Sequence, residues 1–408
     1  MSHTVVLVGS LDTKSEENDY VRQLIEQAGV TVLVVDTSVL GEPGFRADIP
    51  RQDVAHAGGV EHARLVATHD RGQALAVMAA GATAIVTDLH ASGRIDGAIA
   101  LGGTGGTSVA ATAFRHLPLG FPKLIVSTAA SGSTEAYIGE TDLILVPSVV
   151  DIAGLNRVST RILANAAAAL VGMVTQQPLD VTAAATRPLV AASMFGVTTP
   201  CVTEARRLLE ELGYEVLVFH MTGSGGRALE ALTRQGFFAG VLDVTTTELA
   251  DHLVGGVFDA GAERLTAAGA AGVPQVVSVG GLDMVNFGPP DTVREEFRSR
   301  TLYEHNSSVT LMRTTPEECA QLGTELGLKT AAAKGPTTVF LPLRGVSAIA
   351  VEGGPFFDAD ADRSLFEAIR TGVANTAVEL AEIDTDINDP VFARAMVDTL
   401  HATIQNAH

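Results

Sequence analysis

The stretch best suited to chemistry is an apolar run that ends in glycines, Ile99-Ala100-Leu101-Gly102-Gly103-Thr104-Gly105-Gly106-Thr107-Ser108-Val109. Glycine admits positive φ and lets an anion approach the main chain closely, and a helix starting just after it offers free N–H groups and the positive end of a dipole. Gly102, Gly103, Thr104, Gly105, Gly106 and Thr107 therefore read as a phosphate cradle. The loop lacks the lysine of G-x-x-x-x-G-K-[ST], which excludes a P-loop, and its spacing differs from the dinucleotide pattern G-x-G-x-x-G. Other turns of similar character follow apolar runs: Gly9 to Lys14, Asp36-Thr37-Ser38, Ser127 to Thr134 and Ser148 to Asn156. Their hydroxyls and carboxylates suit a nucleotide, with donors for phosphate, acceptors for ribose and room for a metal. Lys14, one of only four lysines, is placed to neutralise phosphate charge. For any single turn a structural role stands beside this one: Asp12, Thr13 and Ser15 suit the cap of the first helix.

The second half carries a comparable set. Val216 to Ala228 reads as strand, glycine turn and helix, with His220 at the strand end and Thr222, Gly223, Gly225 and Gly226 in the turn, the apparent counterpart of the first glycine loop. Asp243 lies near the end of another strand and leads into Thr245, Thr246, Thr247 and Glu248, and Asp283 and Asn286 follow a third. His220, Asp243, Glu248 and Asp283 are the candidate acid/base or metal-binding groups. The threonines, the turn residues and Asn286 are candidate substrate contacts. A hydrogen-bonded structural histidine remains the alternative for His220. No G-x-S-x-G elbow or H-E-x-x-H occurs, and His56, His62 and His69 read as part of a solvated loop. Cys201, at an expected helix start, is either a dipole-stabilised thiolate or a buried small hydrophobe.

Such groups need a scaffold, and strand-like runs alternate with helix-like ones throughout. In the first half strands are expected at Thr4–Gly9, Thr31–Asp36, Gly97–Leu101, Lys123–Ser127 and Leu143–Val146, with helices at Ser15–Ala28, Arg71–Ser92, Thr107–Leu117 and Asn156–Thr175. The grammar restarts after Arg187-Pro188. The expectation is an α/β fold of two tandem Rossmann-like, doubly wound domains with mainly parallel sheets: a nucleotide-binding domain over 1–177, a linker over 178–188 and a substrate domain over 189–408. With 408 residues, 46% hydrophobic and 18% charged, the chain can bury substantial cores. A net charge of −20 with no basic patch argues against nucleic acid. The N-terminus reads as having no leader, and no apolar stretch approaches ~20 residues without turn residues, which argues against a membrane partner. Two distant cysteines outside any C-x-x-C fit a reducing cytoplasm.

Taken together, Gly9 to Lys14, Leu101 to Ser108, Ser148 to Asn156, Met194 to Pro200, Leu242 to Glu248 and Asp283 to Gly288 resemble the motifs of an uncharacterised UPF-type family. That family shares the ATP-binding N-terminal domain of the Tm-one tobamovirus-resistance protein. The resemblance implies a homodimer, with ATP and magnesium on the first domain. It puts the nucleotide against Leu11, Asp12, Thr13, Lys14, Thr37 and the Gly102–Thr107 loop, with Ser131 and Gly132 nearby; the residues alone indicate only phosphate. Asp12 or Asp151 would hold the metal. Phosphoryl or adenylyl transfer to a small metabolite, in a cleft between the domains, is the enzyme reading. A non-catalytic ATP sensor or interaction module is the other.

Overall fold

The computed structural model describes residues 3–176 and 187–407. Contacts divide the chain into two compact units, Met1–Asp180 and Val181–His408. Of the expected linker, residues 178–186 lie outside the described residues.

Unit 1 holds five strands: β1 (Thr4–Gly9), β2 (Thr31–Asp36), β3 (Gly97–Gly102), β4 (Lys123–Ser127) and β5 (Ile144–Pro147). They form one parallel sheet in the order β2-β1-β3-β4-β5. Successive side chains of a strand point to opposite faces, so β1 feeds two cores. Val5 and Leu7 pack with Val21, Ile25, Leu163 and Leu170 of helices Ser15–Gln27 and Ser159–Thr175. Val6 and Val8 pack with Met78, Val86, Val109 and Phe114 of helices Arg71–Ala91 and Thr104–Phe114. Apolar residues on both faces of a strand are what a covered parallel sheet requires. Helix Arg71–Ala91 is, among the described residues, the one long and apolar enough to cross a bilayer, and its Met78, Ala82, Val86 and Leu89 are buried in this core.

Unit 2 holds β6 (Leu189–Met194), β7 (Glu215–His220), β8 (Gly240–Thr245), β9 (Gln275–Gly280), β10 (Met284–Phe287), β11 (Leu302–Asn306), β12 (Val309–Arg313), β13 (Thr337–Pro342) and β14 (Glu379–Ile383). Six of them form a parallel sheet ordered β7-β6-β8-β9-β13-β14. The first five follow the same winding as unit 1, so β6 corresponds to β1, β7 to β2 and β8 to β3. The glycine turn after His220 therefore corresponds to the turn after the edge strand β2. The counterpart of the Gly102–Thr107 loop is Thr245–Glu248, after β8.

Three departures from the sequence reading have physical reasons. The helix expected from Thr107 begins at Thr104, which makes Gly105 and Gly106 part of its first turn. The segment around His56 and His62 is helical, Arg51–Ala57 and His62–Thr68, rather than a loop, because Val54, Ala55 and Leu65 bury against Met78 and Ala82. An antiparallel sheet, β10-β12-β11, lies between β9 and β13 in sequence. It shows no alternation because β10 is buried along its whole length and β11 is exposed along its own.

Glycine is obligatory at the end of β3. A Cβ on Gly102 would lie 2.8 Å from the Thr107 nitrogen and 2.9 Å from the Gly106 carbonyl carbon, backbone that cannot yield, whereas one on Gly103 would meet only Thr128 Oγ1 at 3.8 Å. Gly102→Ala is expected to destabilise unit 1 by about 1–3 kcal/mol in urea unfolding and Gly103→Ala by less than about 0.5 kcal/mol. Equal effects would show that the close approach of helix to strand is not what selects Gly102.

Candidate functional site

Ligands of open parallel sheets bind beyond the strand ends where the winding reverses. In unit 1 that point lies between β1 and β3, and the loops there are Ser10–Lys14 and Gly103–Thr107. Thr107 is fully buried; its hydroxyl lies 2.6 Å from Ser127 Oγ, and its N–H donates to Gly103 O at 2.9 Å. It anchors the loop to β4 from beneath. Gly103 is the extended N-cap residue and no side chain caps the helix. The first-turn N–H groups of Thr104, Gly105 and Gly106 therefore have no intrahelical acceptor, at the positive end of the helix.

The β1 turn is braced from β2. Leu11 is buried, its N–H donating to Asp36 Oδ1 at 3.2 Å, and Ser38 N donates to the same oxygen at 2.9 Å. Thr37, also buried, donates its N–H to Gly9 O. Asp12 Oδ2 accepts from Gly41 N at 3.2 Å, and Thr13 is exposed. Lys14 donates to the Ile152 carbonyl and ties this turn to the segment after β5, so its ammonium is already engaged. A cavity of about 340 Å³ opens here, walled by Ser10, Asp12 and Thr13 on one side and by Leu65, Arg71 and Leu75 on the other. Ser38 lines it, 2% exposed, and its buried hydroxyl has no hydrogen-bond partner. Ser131, Gly132 and Asp151 are exposed on the turns after β4 and β5. Among the described residues no three His, Cys, Asp or Glu side chains group to hold a metal ion.

Unit 2 brings together residues that the sequence left apart, around a residue it did not single out. Arg264 is fully buried. Its Nη1 and Nη2 donate to Asp243 at 2.5 and 2.6 Å, its Nε donates to Glu248 Oε2 at 2.7 Å, and Glu230 lies at 3.4 Å. Glu230 also accepts the amides of Leu265, Thr266 and Ala267. Glu248 Oε1 accepts from Gly223 N at 2.7 Å and Gly226 N at 3.1 Å. The glycine turn after His220 thus does cradle an anion, and the anion is the chain's own Glu248. A Cβ on Gly226 would lie 1.9 Å from Glu248 Oε2, and one on Gly225 would lie 1.9 Å from His220 O, so both glycines serve packing. Burial pushes the Glu248 carboxyl above its ordinary pKa, opposed by Arg264 and by the two amides.

The other unit 2 candidates are also interior. Thr245 Oγ1 pairs with Thr198 Oγ1 at 2.7 Å, and Thr246 Oγ1 donates to Ser278 O at 3.0 Å. Thr247 lies beneath Gly281, and Asn286, inside β10, donates to Asp251 Oδ2 at 2.6 Å. Asp283 accepts from Ser347 at 2.8 Å while its Oδ1 has no partner, and burial raises its pKa against the nearby Arg313. Cys201 is buried, which pushes its thiol up to about 12 and leaves it a core residue rather than a nucleophile. Of these candidates only His220 and, in part, Thr222 and Gly225 reach the surface; His220 lies against Phe195 with ring centroids 5.4 Å apart. A larger hollow of about 740 Å³ lies beyond β13 and β14, but its Arg344, Arg363 and Arg370 are each paired with a carboxylate.

Arg264 gives no local signal, since it stands in a run of mostly alanine, glycine and leucine with one glutamate and one threonine; the clue is indirect, in three carboxylates whose neighbours are strand or helix interior. Asp251 was missed for the same reason. Its carboxyl, buried in the short helix Glu248–Val254, is pushed up to about 7, chiefly by burial and against hydrogen bonds from Asn286 and Phe258.

This geometry defines a two-unit, doubly wound α/β protein with an uncapped helix start at the winding reversal of its first sheet. The chain belongs to the uncharacterised protein family UPF0261: residues 3–178 match its N-terminal domain and residues 187–404 its C-terminal domain. It is 48% identical over 400 residues to a UPF0261 protein of Clostridium tetani, covering 98% of each chain. It is 46% identical over 396 residues to one of Rhizobium meliloti, covering 96% of this chain and 97% of the other. The ToMV resistance protein Tm-1(GCR237) of Solanum lycopersicum is 42% identical over 419 residues, which cover 98% of this chain and 55% of the tomato protein.

Two measurements check the interior of unit 2. Arg264→Met leaves three carboxylates buried without their cation and is expected to cost about 3–5 kcal/mol in chemical unfolding; a cost below about 1 kcal/mol would contradict the network. Asp251 titrates near ~4 when unfolded and at about 7 in the fold. Between these values the folded state holds the extra proton, so this group's contribution to stability falls as pH rises through that window and is constant above it. Asp251→Asn removes the titration, and the Asn286 amide can turn its unpartnered Oδ1 toward the new amide nitrogen. Relative to wild type the variant should gain about 2–3 kcal/mol between pH 5 and pH 8 in urea unfolding. Parallel pH profiles would refute the assignment.

Proposed function

We propose that this chain binds ATP with magnesium through unit 1. The observation that carries the reading is the uncapped start of helix Thr104–Phe114 beside a cavity that holds a buried, partnerless hydroxyl, Ser38. Amides of Thr104, Gly105 and Gly106 suit phosphate oxygens, with Gly103 leaving the backbone open to close approach. Magnesium takes one or two protein carboxylates plus phosphate oxygens, so Asp12, with Asp151 as the other candidate, suffices without a three-residue cluster. Lys14, engaged with Ile152, serves to position the turn. The family's likeness to the Tm-one domain supports ATP as the nucleotide.

Bound ATP supplies an activated phosphoryl or adenylyl group, and a small metabolite is the proposed acceptor. His220 is the candidate group at the surface of unit 2 and the one proposed to move a proton there, while Asp243 and Glu248 hold Arg264. That internal commitment favours a second reading, an ATP-binding sensor or interaction module without turnover. A cytoplasmic homodimer with no nucleic-acid or membrane partner completes the proposal, supported by the net charge of −20 and two buried free cysteines.

Gly103→Val, whose extended backbone tolerates a branched side chain, is expected to keep wild-type unfolding while lowering Mg-ATP affinity at least about 100-fold in titration calorimetry. Unchanged affinity would remove the site from this loop. ADP or AMP release with an acceptor, measured on the wild-type preparation, separates the enzyme from the sensor.

A further inference from the structure

We propose that Arg71 is the cation that binds the phosphate chain of a nucleoside di- or triphosphate in unit 1, in the role that a lysine fills in P-loops. The inference rests on the nucleotide reading of this site. The glycine loop carries no lysine, and the nearby cations are already committed: Lys14 to the Ile152 carbonyl, and Arg51 to the Gly41 carbonyl and, at 3.6 Å, to Glu42. Among the described residues none pairs with the side chain of Arg71.

Its position is fixed by the chain around it. His69 takes a left-handed conformation, φ 52°, that ends helix His62–Thr68, and Asp70 then caps the next helix by accepting from Gln73 N at 3.0 Å. Arg71 is the first residue of that helix, exposed, at the wall of the 340 Å³ cavity. Its Nη2 lies 3.7 Å from the point where a Cβ on Gly105 would sit, so the guanidinium flanks the turn whose amides are open. Three donor sets without acceptors thus lie around one cavity: Arg71 and Ser38, whose hydroxyl is buried and partnerless, line it, and the amides of Thr104 to Gly106 adjoin its Arg71–Leu75 wall. Their common complement is a ligand with several anionic oxygens. A guanidinium offers paired N–H donors that match two oxygens of one phosphate, which a lysine does not. Asp12 and Asp70 line the same cavity, so a phosphate chain entering it would bring its own magnesium to offset their charge.

The test is titration calorimetry of Mg-ATP against wild type, Arg71→Gln and Arg71→Lys at several KCl concentrations, with thermal unfolding as the check on folding. Arg71→Gln is expected to lose about 10- to 100-fold in affinity and to show a shallower dependence on salt. Arg71→Lys should keep the salt dependence and recover part of the affinity. A merely structural role would leave the salt slope unchanged. Mg-ATP binding by folded Arg71→Gln within twofold of wild type would overturn the role of Arg71 and leave the nucleotide reading standing. Wild-type protein that binds no Mg-ATP would overturn both.

Discussion

The helix starts at the strand ends of this protein are governed by one constraint: an N–H group left open there must find an acceptor, which can be a hydroxyl, an amide oxygen or an anion. In unit 2 the chain supplies it. Glu248 fills the Gly223–Gly226 cradle, and a carboxylate so placed would be intolerable without a counter-charge, which the buried guanidinium of Arg264 provides together with its paired hold on Asp243. Glu230, the third carboxylate, in turn satisfies the amides that open helix Ala267–Ala271. Removing any one member exposes the others, so the network fixes the loops after β7 and β8 and the segment around Arg264 as a unit.

Unit 1 repeats the winding, and its buried carboxylate Asp36 serves the turns after β1 and β2 rather than a glycine turn that opens a helix. Its helix after β3 starts uncapped, and Thr107 and Ser127 hold the loop from below without covering its amides. The surroundings are correspondingly less complete: a hydroxyl without a partner at Ser38 and a guanidinium without a carboxylate at Arg71. The two units therefore share a winding and differ in where a buried carboxylate is placed. That difference supports the proposed ligand site in unit 1.

Much of the fold was legible because both faces of each central strand are apolar and helices with their own cores intervene. Strand order was not, since nothing local in Val190 or Val241 records its neighbour. Without strand order the turn after His220 passed as the partner of the Gly102 loop, although topology pairs that loop with Thr245–Glu248. Site residues divided along the same line. Gly102 to Gly106 were recognisable because backbone exposure follows from glycine itself. Asp243, Glu248 and Asp283 look catalytic in a list of residue types, but their chemistry is decided by burial and by the distant Arg264. Arg71 was invisible as a ligand group because its relevance comes from a helix that returns to the β1 and β3 ends from another part of the chain.

As proposed, the open helix start of unit 1 binds the ligand, whereas the glycine turn of unit 2 is filled from within. A crystal structure of the full chain soaked with magnesium and a non-hydrolysable ATP analogue tests it most directly. The expected result is one nucleotide per chain, its phosphates on the amides of Thr104 to Gly106, with Glu248 still seated on Gly223 and Gly226. Phosphate density on the Gly223–Gly226 turn with Glu248 displaced, or a nucleotide bound away from the Gly103 loop, would contradict it.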